Sequence, residues 1–133
     1  MKKEIDKLAW LYIRDGKLLS ARSKNKTLFY IPGGKRELNE SDQQALVREI
    51  KEEISVDLLP ETIKYAGTFK AKADGKSNDT IVKMTCYFAD FEGTLKADAE
   101  IEEIDFISYK NTDLCSLASI KIMQWLKEEA LLA

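Results

Sequence analysis

Three glutamates, Glu49, Glu52 and Glu53, occupy relative positions 0, 3 and 4 in the run Arg48-Glu49-Ile50-Lys51-Glu52-Glu53. In a helix of about 3.6 residues per turn, such positions lie within roughly 100° of one face. Carboxylates crowded there repel one another by about 0.2–0.5 kcal/mol per pair at an exposed site. A divalent cation relieves that repulsion, and hard oxygen ligands suit Mg²⁺ or Mn²⁺. Another acid, Glu40, and the turn Pro32-Gly33-Gly34 precede the cluster. On the helix alone, a plainer reading competes: the glutamates form the solvated side of an amphipathic surface helix.

The elements that must position these groups can be read from pattern. Lys7 to Ile13 and Leu18 to Arg22 alternate as strands around the turn Arg14-Asp15-Gly16-Lys17, a hairpin. Thr27 to Ile31 is a short extended segment stopped by Pro32, which disfavours helix before it, and by two glycines that permit tight backbone geometry. Ser41 with Gln44 forms a capping box that opens a helix running to about Ile54. Its Leu46, Ile50 and Ile54, joined by Val47, make the core-facing stripe. Ile63 to Ala73 and Thr80 to Phe91 form a strand pair. Their connection, Asp74-Gly75-Lys76-Ser77-Asn78-Asp79, is turn chemistry, and it lacks the twelve-residue spacing and closing Glu of a calcium loop. Glu103 to Ser108 is a last strand. Leu114 to Leu132 is a second amphipathic helix with Leu117, Ile120, Trp125 and Leu131 as core candidates. Strands, a helix, more strands and a final helix predict a mixed α/β sandwich.

Composition bounds the chemistry. A chain of 133 residues with 44% apolar side chains reads as one domain, residues 1–133, with a real core. A formal net charge of −2 offers no general attraction to nucleic acid or to an anionic membrane. No apolar run approaches membrane-spanning length, and the mixed charges of Met1 to Lys7 are unlike a signal peptide, so a cytoplasmic location is expected. Cys86 and Cys115 are too few and too far apart for a disulfide scaffold or a zinc site. With no histidine in the chain, Ser-His-Asp and Cys-His chemistry and His-ligated zinc are excluded. Carboxylates, lysines and a metal must do the work of any enzyme here.

Gly34, Glu40, Arg48, Glu49, Ile50, Glu52, Glu53 and Val56 match the signature of the Nudix hydrolases, the MutT-type pyrophosphohydrolases. That signature is G, five residues, E, seven residues, R-E, an apolar residue, any residue, E-E, any residue, G and an apolar residue. For a Glu-rich composition, such matches arise by chance on the order of 10⁻⁷ times per start position. Pro32-Gly33 also resembles the usual lead-in. One position departs: Ser55 stands where the family has glycine. That glycine ends the helix in a left-handed conformation, so serine is expected to cost roughly 1–2 kcal/mol in stability without removing a ligand.

The resemblance implies the Nudix α/β/α sandwich with a mixed sheet, and metal-dependent hydrolysis of a phosphoanhydride in a nucleoside diphosphate derivative. A (d)NTP or modified (d)NTP giving NMP and pyrophosphate leads. ADP-ribose, nucleotide-sugar or dinucleoside polyphosphate hydrolysis, or a non-catalytic nucleotide-sensing module, are the alternatives. It implies Mg²⁺ or Mn²⁺ held by Glu49, Glu52, Glu53 and the Gly33 carbonyl, with Arg48 orienting a neighbouring carboxylate, Glu49 foremost, and Glu40 tying the loop to the helix. The general base resembles a group in Ala99 to Phe106: Glu100 first, Glu103 second, a helix glutamate such as Glu52 or Glu53 otherwise. Arg22 and Lys35 are the candidates for holding phosphates, whereas Lys24 and Lys26 are expected to face solvent. Tyr12, Phe29, Tyr87 and Phe88 are candidates to flank a base. The expected partner is a small-molecule nucleotide, with no nucleic acid and no membrane; homodimerisation is left open.

Overall fold

The computed structural model describes residues 3–75 and 79–133. Met1 and Lys2, and Lys76 to Asn78 of the expected turn, lie outside these described residues. Strand β1 (Lys3–Leu11) starts earlier than the alternation suggests and occupies an inner position of a mixed sheet. It pairs parallel with β7 (Thr80–Phe88) on one side. On the other it pairs antiparallel with the two-residue β4 (Gly33–Gly34). β6 (Lys64–Lys72) flanks β7 antiparallel, as the expected strand pair. A second sheet joins β2 (Ile13–Arg14), β3 (Lys17–Ser23) and β9 (Ile101–Ile107). The short pair β5 (Asp57–Leu58) and β8 (Phe91–Glu92) follows the first helix.

Side chains of β1 alternate between two cores because successive residues of a strand point to opposite faces. Leu8 and Trp10 pack with Ala45, Leu46, Ile50 and Ile54 of helix α1 (Asp42–Ile54). Ala9 and Leu11 pack with Ala118, Ile122, Met123 and Leu126 of helix α2 (Leu117–Glu128). The sheet is thus covered by a helix on each face, the α/β/α sandwich the sequence predicts. Trp10 is fully buried, and its indole N–H donates to the Ala89 carbonyl at 3.0 Å, so its one polar atom is satisfied.

Helix α1 matches its expected start: Ser41 accepts from the Gln44 N–H, and the Gln44 side chain accepts in return from the Ser41 N–H. Ser55 ends it at φ 68°, ψ 13°, the left-handed geometry expected at this position. Its hydroxyl donates to the Lys96 carbonyl at 3.1 Å, a partner that glycine would lack.

Helix α2 departs from expectation in length and phase. It begins after its N-cap Ser116 and stops at Glu128, with Ala130 at φ 60° turning the chain away. Leu117 and Leu131 are 46% and 43% exposed, whereas Ile120 and Trp125 only flank the core. Apolar residues on nearly every side of this segment leave its period ambiguous. The cap at Ser116 and the sheet surface choose Ala118, Ile122, Met123 and Leu126 instead. Among the described residues, no helix is long and apolar enough to cross a membrane.

Candidate active site

The two glycines of β4 bring backbone against carboxylates. Gly33 sits at φ 153°, and a Cβ there would lie 1.9 Å from the Leu8 carbonyl oxygen. A Cβ on Gly34 would lie 2.5 Å from the Glu49 carboxylate. At position 33 only glycine lets β4 lie so close to the backbone of β1, whereas at 34 a side chain would displace the Glu49 carboxylate. The Gly33 N–H donates to Glu53 Oε1 at 3.2 Å, tying β4 to the end of α1.

Arg48 organises the acids on the outer side. Its Nε and one terminal nitrogen grip both oxygens of Glu40, at 2.7 and 2.9 Å. The other terminal nitrogen donates to Glu49 Oε1 at 3.0 Å. Longer contacts of 3.4 Å reach Glu52, and the Lys35 carbonyl accepts at 3.1 Å. Glu49 is therefore a partner, as expected, but the two-armed partner is Glu40. Asn39 at φ 67° folds the loop back to present it. Hydrogen bonds from Arg48, with the Glu37 N–H, hold the Glu40 carboxyl down at about 2.

The inner acids have the opposite character. Burial pushes Glu53 up to about 8, and the nearby Glu49 and Glu100 add to it, against the Gly33 N–H and Lys7. Burial also raises Glu49, against Arg48. Glu52 lies outside this pair, its side chain 55% exposed. Among the described residues no three acidic or cysteine side chains stand gathered around one point. The donor set nevertheless fits a hard divalent cation. It is all oxygen, and its best-buried carboxylate is disfavoured as an anion until positive charge arrives. The residues that would hold such an ion are Glu49, Glu53 and, from the helix exterior, Glu52, with the Gly33 backbone alongside.

Glu53 opens onto a cavity of about 350 Å³ between β1, β7, β3 and the start of α2. Lys7, Gly33, Glu53 and Glu100 line it together, and Tyr30, Asp74, Ser116 and Ser119 also line it. Glu100 thus shares a cavity with one of the helix acids, Glu53. Glu103 does not line it: its carboxylate binds Arg22 at 3.2 Å, its register partner across β3 and β9. Arg22 is also taken by Glu102 at 2.8 Å and by the Lys26 carbonyl at 3.0 Å, and those acids raise its pKa further. Lys35 lines a separate surface groove with Lys3, Asp6 and Arg36. Lys26 is exposed, as the sequence suggests, but stands on the cavity wall.

The aromatic candidates lie elsewhere. Tyr12 stacks on Trp10 at 5.3 Å, Phe29 is core, Phe88 packs beside it, and the Tyr87 hydroxyl donates to Asp42 at 2.6 Å. The aromatic ring in the cavity is that of Tyr30. Lys7 and Tyr30 escaped the sequence reading. A signal for Lys7 was present: along Ile5, Lys7, Ala9 and Leu11, every second residue is apolar except the lysine.

Comparison with known proteins places this geometry in context. The NUDIX domain model matches residues 6–126. The CTP pyrophosphohydrolase of Escherichia coli is 34% identical over 100 residues, 71% of this chain and 70% of that protein. The ADP-ribose pyrophosphatase of Methanocaldococcus jannaschii is 29% identical over 114 residues, 84% of this chain and 66% of that protein. The crystal structure of a MutT protein from Methanosarcina mazei superposes with a TM-score of 0.75 at 19% identity, covering 97% of this chain and 96% of that one.

Proposed function

This chain belongs to the NUDIX family and is a pyrophosphohydrolase of nucleotide derivatives; on that footing we propose that its substrate is a nucleoside triphosphate, canonical or modified, cleaved to the monophosphate and pyrophosphate. One observation carries the reading: the part-buried carboxylate of Glu53, tied to Gly33, faces a nucleotide-sized cavity that Glu100 also lines. The higher identity to a CTP pyrophosphohydrolase favours a triphosphate over ADP-ribose.

In this reading residues 1–133 act as one domain in the cytoplasm. Glu49, Glu52, Glu53 and the Gly33 carbonyl would hold Mg²⁺ or Mn²⁺. When bound, the cation supplies neutralising charge to the phosphoanhydride and lowers the pKa of a water. Arg48 holds Glu49 in orientation and is itself fixed by Glu40. Glu100 accepts the proton of the attacking water as general base; Glu103 is occupied by Arg22.

The test is product release from a panel of nucleoside triphosphates, nucleotide sugars, ADP-ribose and dinucleoside polyphosphates, with Mg²⁺, Mn²⁺ or EDTA. Triphosphates turned over fastest, only with metal, and lost in Glu53→Gln, are the expected result. Full activity in EDTA, or wild-type activity in Glu53→Gln, overturns the mechanism. A preference for ADP-ribose overturns the substrate assignment alone.

A further inference from the structure

β1 is an inner strand, and the face it turns toward the cavity reads Ile5, Lys7, Ala9, Leu11. Ile5 and Lys7 line the cavity, whereas Ala9 and Leu11 are 0% and 2% exposed in the core behind it. A lysine on such a face loses hydration and side-chain freedom, so it stands out against its apolar neighbours. Among the described residues the Lys7 ammonium has no ion-pair or hydrogen-bond partner, although its backbone lies in the β1–β7 ladder. Burial and the like charge of Lys35 disfavour its ammonium, and the attraction of Glu53 and Glu49 opposes them. Lys26 also stands on the cavity wall but is exposed, and the arginines near the acids are committed elsewhere. Arg48 grips Glu40 and Glu49, Arg22 grips Glu102 and Glu103, and Arg36 pairs with Asp6 and Asp42.

An oligophosphate entering beside Glu53 brings several negative charges into a cavity that already holds three acids, Glu53, Asp74 and Glu100. A compact ammonium with three free donors is suited to meet phosphoryl oxygens there. We infer that Lys7 is a substrate-binding residue whose ammonium takes a phosphoryl oxygen of the bound oligophosphate, the task the sequence had suggested for Arg22 and Lys35. This inference rests on the phosphoanhydride reading of the same site. It adds that affinity for the phosphate chain comes from an inner strand, and not from the basic loops around the mouth.

The experiment compares Lys7→Met and Lys7→Arg with the wild-type protein. It measures steady-state kinetics on the preferred triphosphate and calorimetric binding of inorganic pyrophosphate at saturating Mg²⁺. Met keeps the length and apolar stem of lysine, and Arg keeps the charge. One charge-assisted hydrogen bond corresponds to about 10- to 100-fold in affinity. Lys7→Met is therefore expected to raise KM and weaken pyrophosphate binding by that range, with the loss falling mainly on KM, and Lys7→Arg to recover most of it.

Unchanged KM and pyrophosphate affinity in Lys7→Met overturn the inference. So does tighter Mg²⁺ binding with unaltered pyrophosphate affinity, which would make Lys7 a mere counter-charge to the acids. A loss that Lys7→Arg fails to recover, accompanied by a lowered Tm, also overturns it by assigning Lys7 a packing role. Because pyrophosphate binding is read without turnover, a protein that hydrolyses no nucleotide sinks the functional reading while leaving the lysine testable.

Discussion

Replacing Glu53 with Gln is expected to stabilise the metal-free protein while destroying activity, and the gain should depend on pH. Glu53 titrates near 8 in the fold against an ordinary 4.5, with burial the largest cause. The folded state therefore binds the proton more tightly than the unfolded chain does. The contribution of Glu53 to stability is largest below pH 4.5 and falls as pH rises through the window to about 8, where the folded carboxyl finally ionises. At about 1.4 kcal/mol per pH unit, the interval from 4.5 to about 8 gives an upper bound of about 5 kcal/mol. Water entry from the adjoining cavity and side-chain rotation reduce this to about 2–3 kcal/mol.

Glutamine mimics the protonated acid and keeps an oxygen for the Gly33 N–H. In EDTA, Glu53→Gln and wild type should melt together near pH 4.5. By pH 8.5 the variant should melt higher by about 6–12 °C, given about 3–4 °C per kcal/mol for a chain of this size. Thermal and urea unfolding across pH 4.5–9 measure it, and saturating Mg²⁺ should narrow the gap by stabilising wild type only. Parallel curves, with no growth of the difference above pH 5, would refute the claim that Glu53 is a strained, buried anion.

Three further outcomes follow from the geometry. Arg48→Lys keeps the charge but loses the fork that spans Glu40 and Glu49, so kcat/KM on a triphosphate should fall about 10- to 100-fold. Glu100→Gln should lower kcat by about 10²-fold or more, and Glu103→Gln should leave it within about 3-fold; a reversal in single-turnover rates would move the base to Glu103. Ser55→Gly removes a left-handed strain of about 1–2 kcal/mol but also a hydrogen bond of about 0.5–1.5 kcal/mol, so denaturant unfolding should find it within about 1 kcal/mol of wild type. Ser55→Ala, which loses the bond and keeps the strain, should be the less stable of the two.

Much of the site was legible in the linear chain because it depends on local spacing. The capping box Ser41–Gln44, the apolar stripe of α1 and the placement of Glu49, Glu52 and Glu53 on one helix follow from helical geometry alone. The left-handed geometry at Ser55 was implied by the motif, which has glycine at that position. Residues far apart in sequence resisted such reading. Arg22 looked available until the β3–β9 register set it against Glu103. Helix α2 is apolar on too many sides for period to choose its buried face, and Leu117 and Leu131 were misassigned to the core accordingly.

What the sequence by itself determined is an acidic helix behind a glycine turn, a strand-rich frame and, through the motif, the chemistry of a phosphoanhydride. What only the tertiary structure decided is which charges are left free. Ion pairing and burial depend on contacts between strands and loops many residues apart. The fold therefore gave Arg48 to Glu40 and Glu49 and Arg22 to Glu102 and Glu103, and among the described residues it left Glu53 and Lys7 without a salt bridge on one cavity wall.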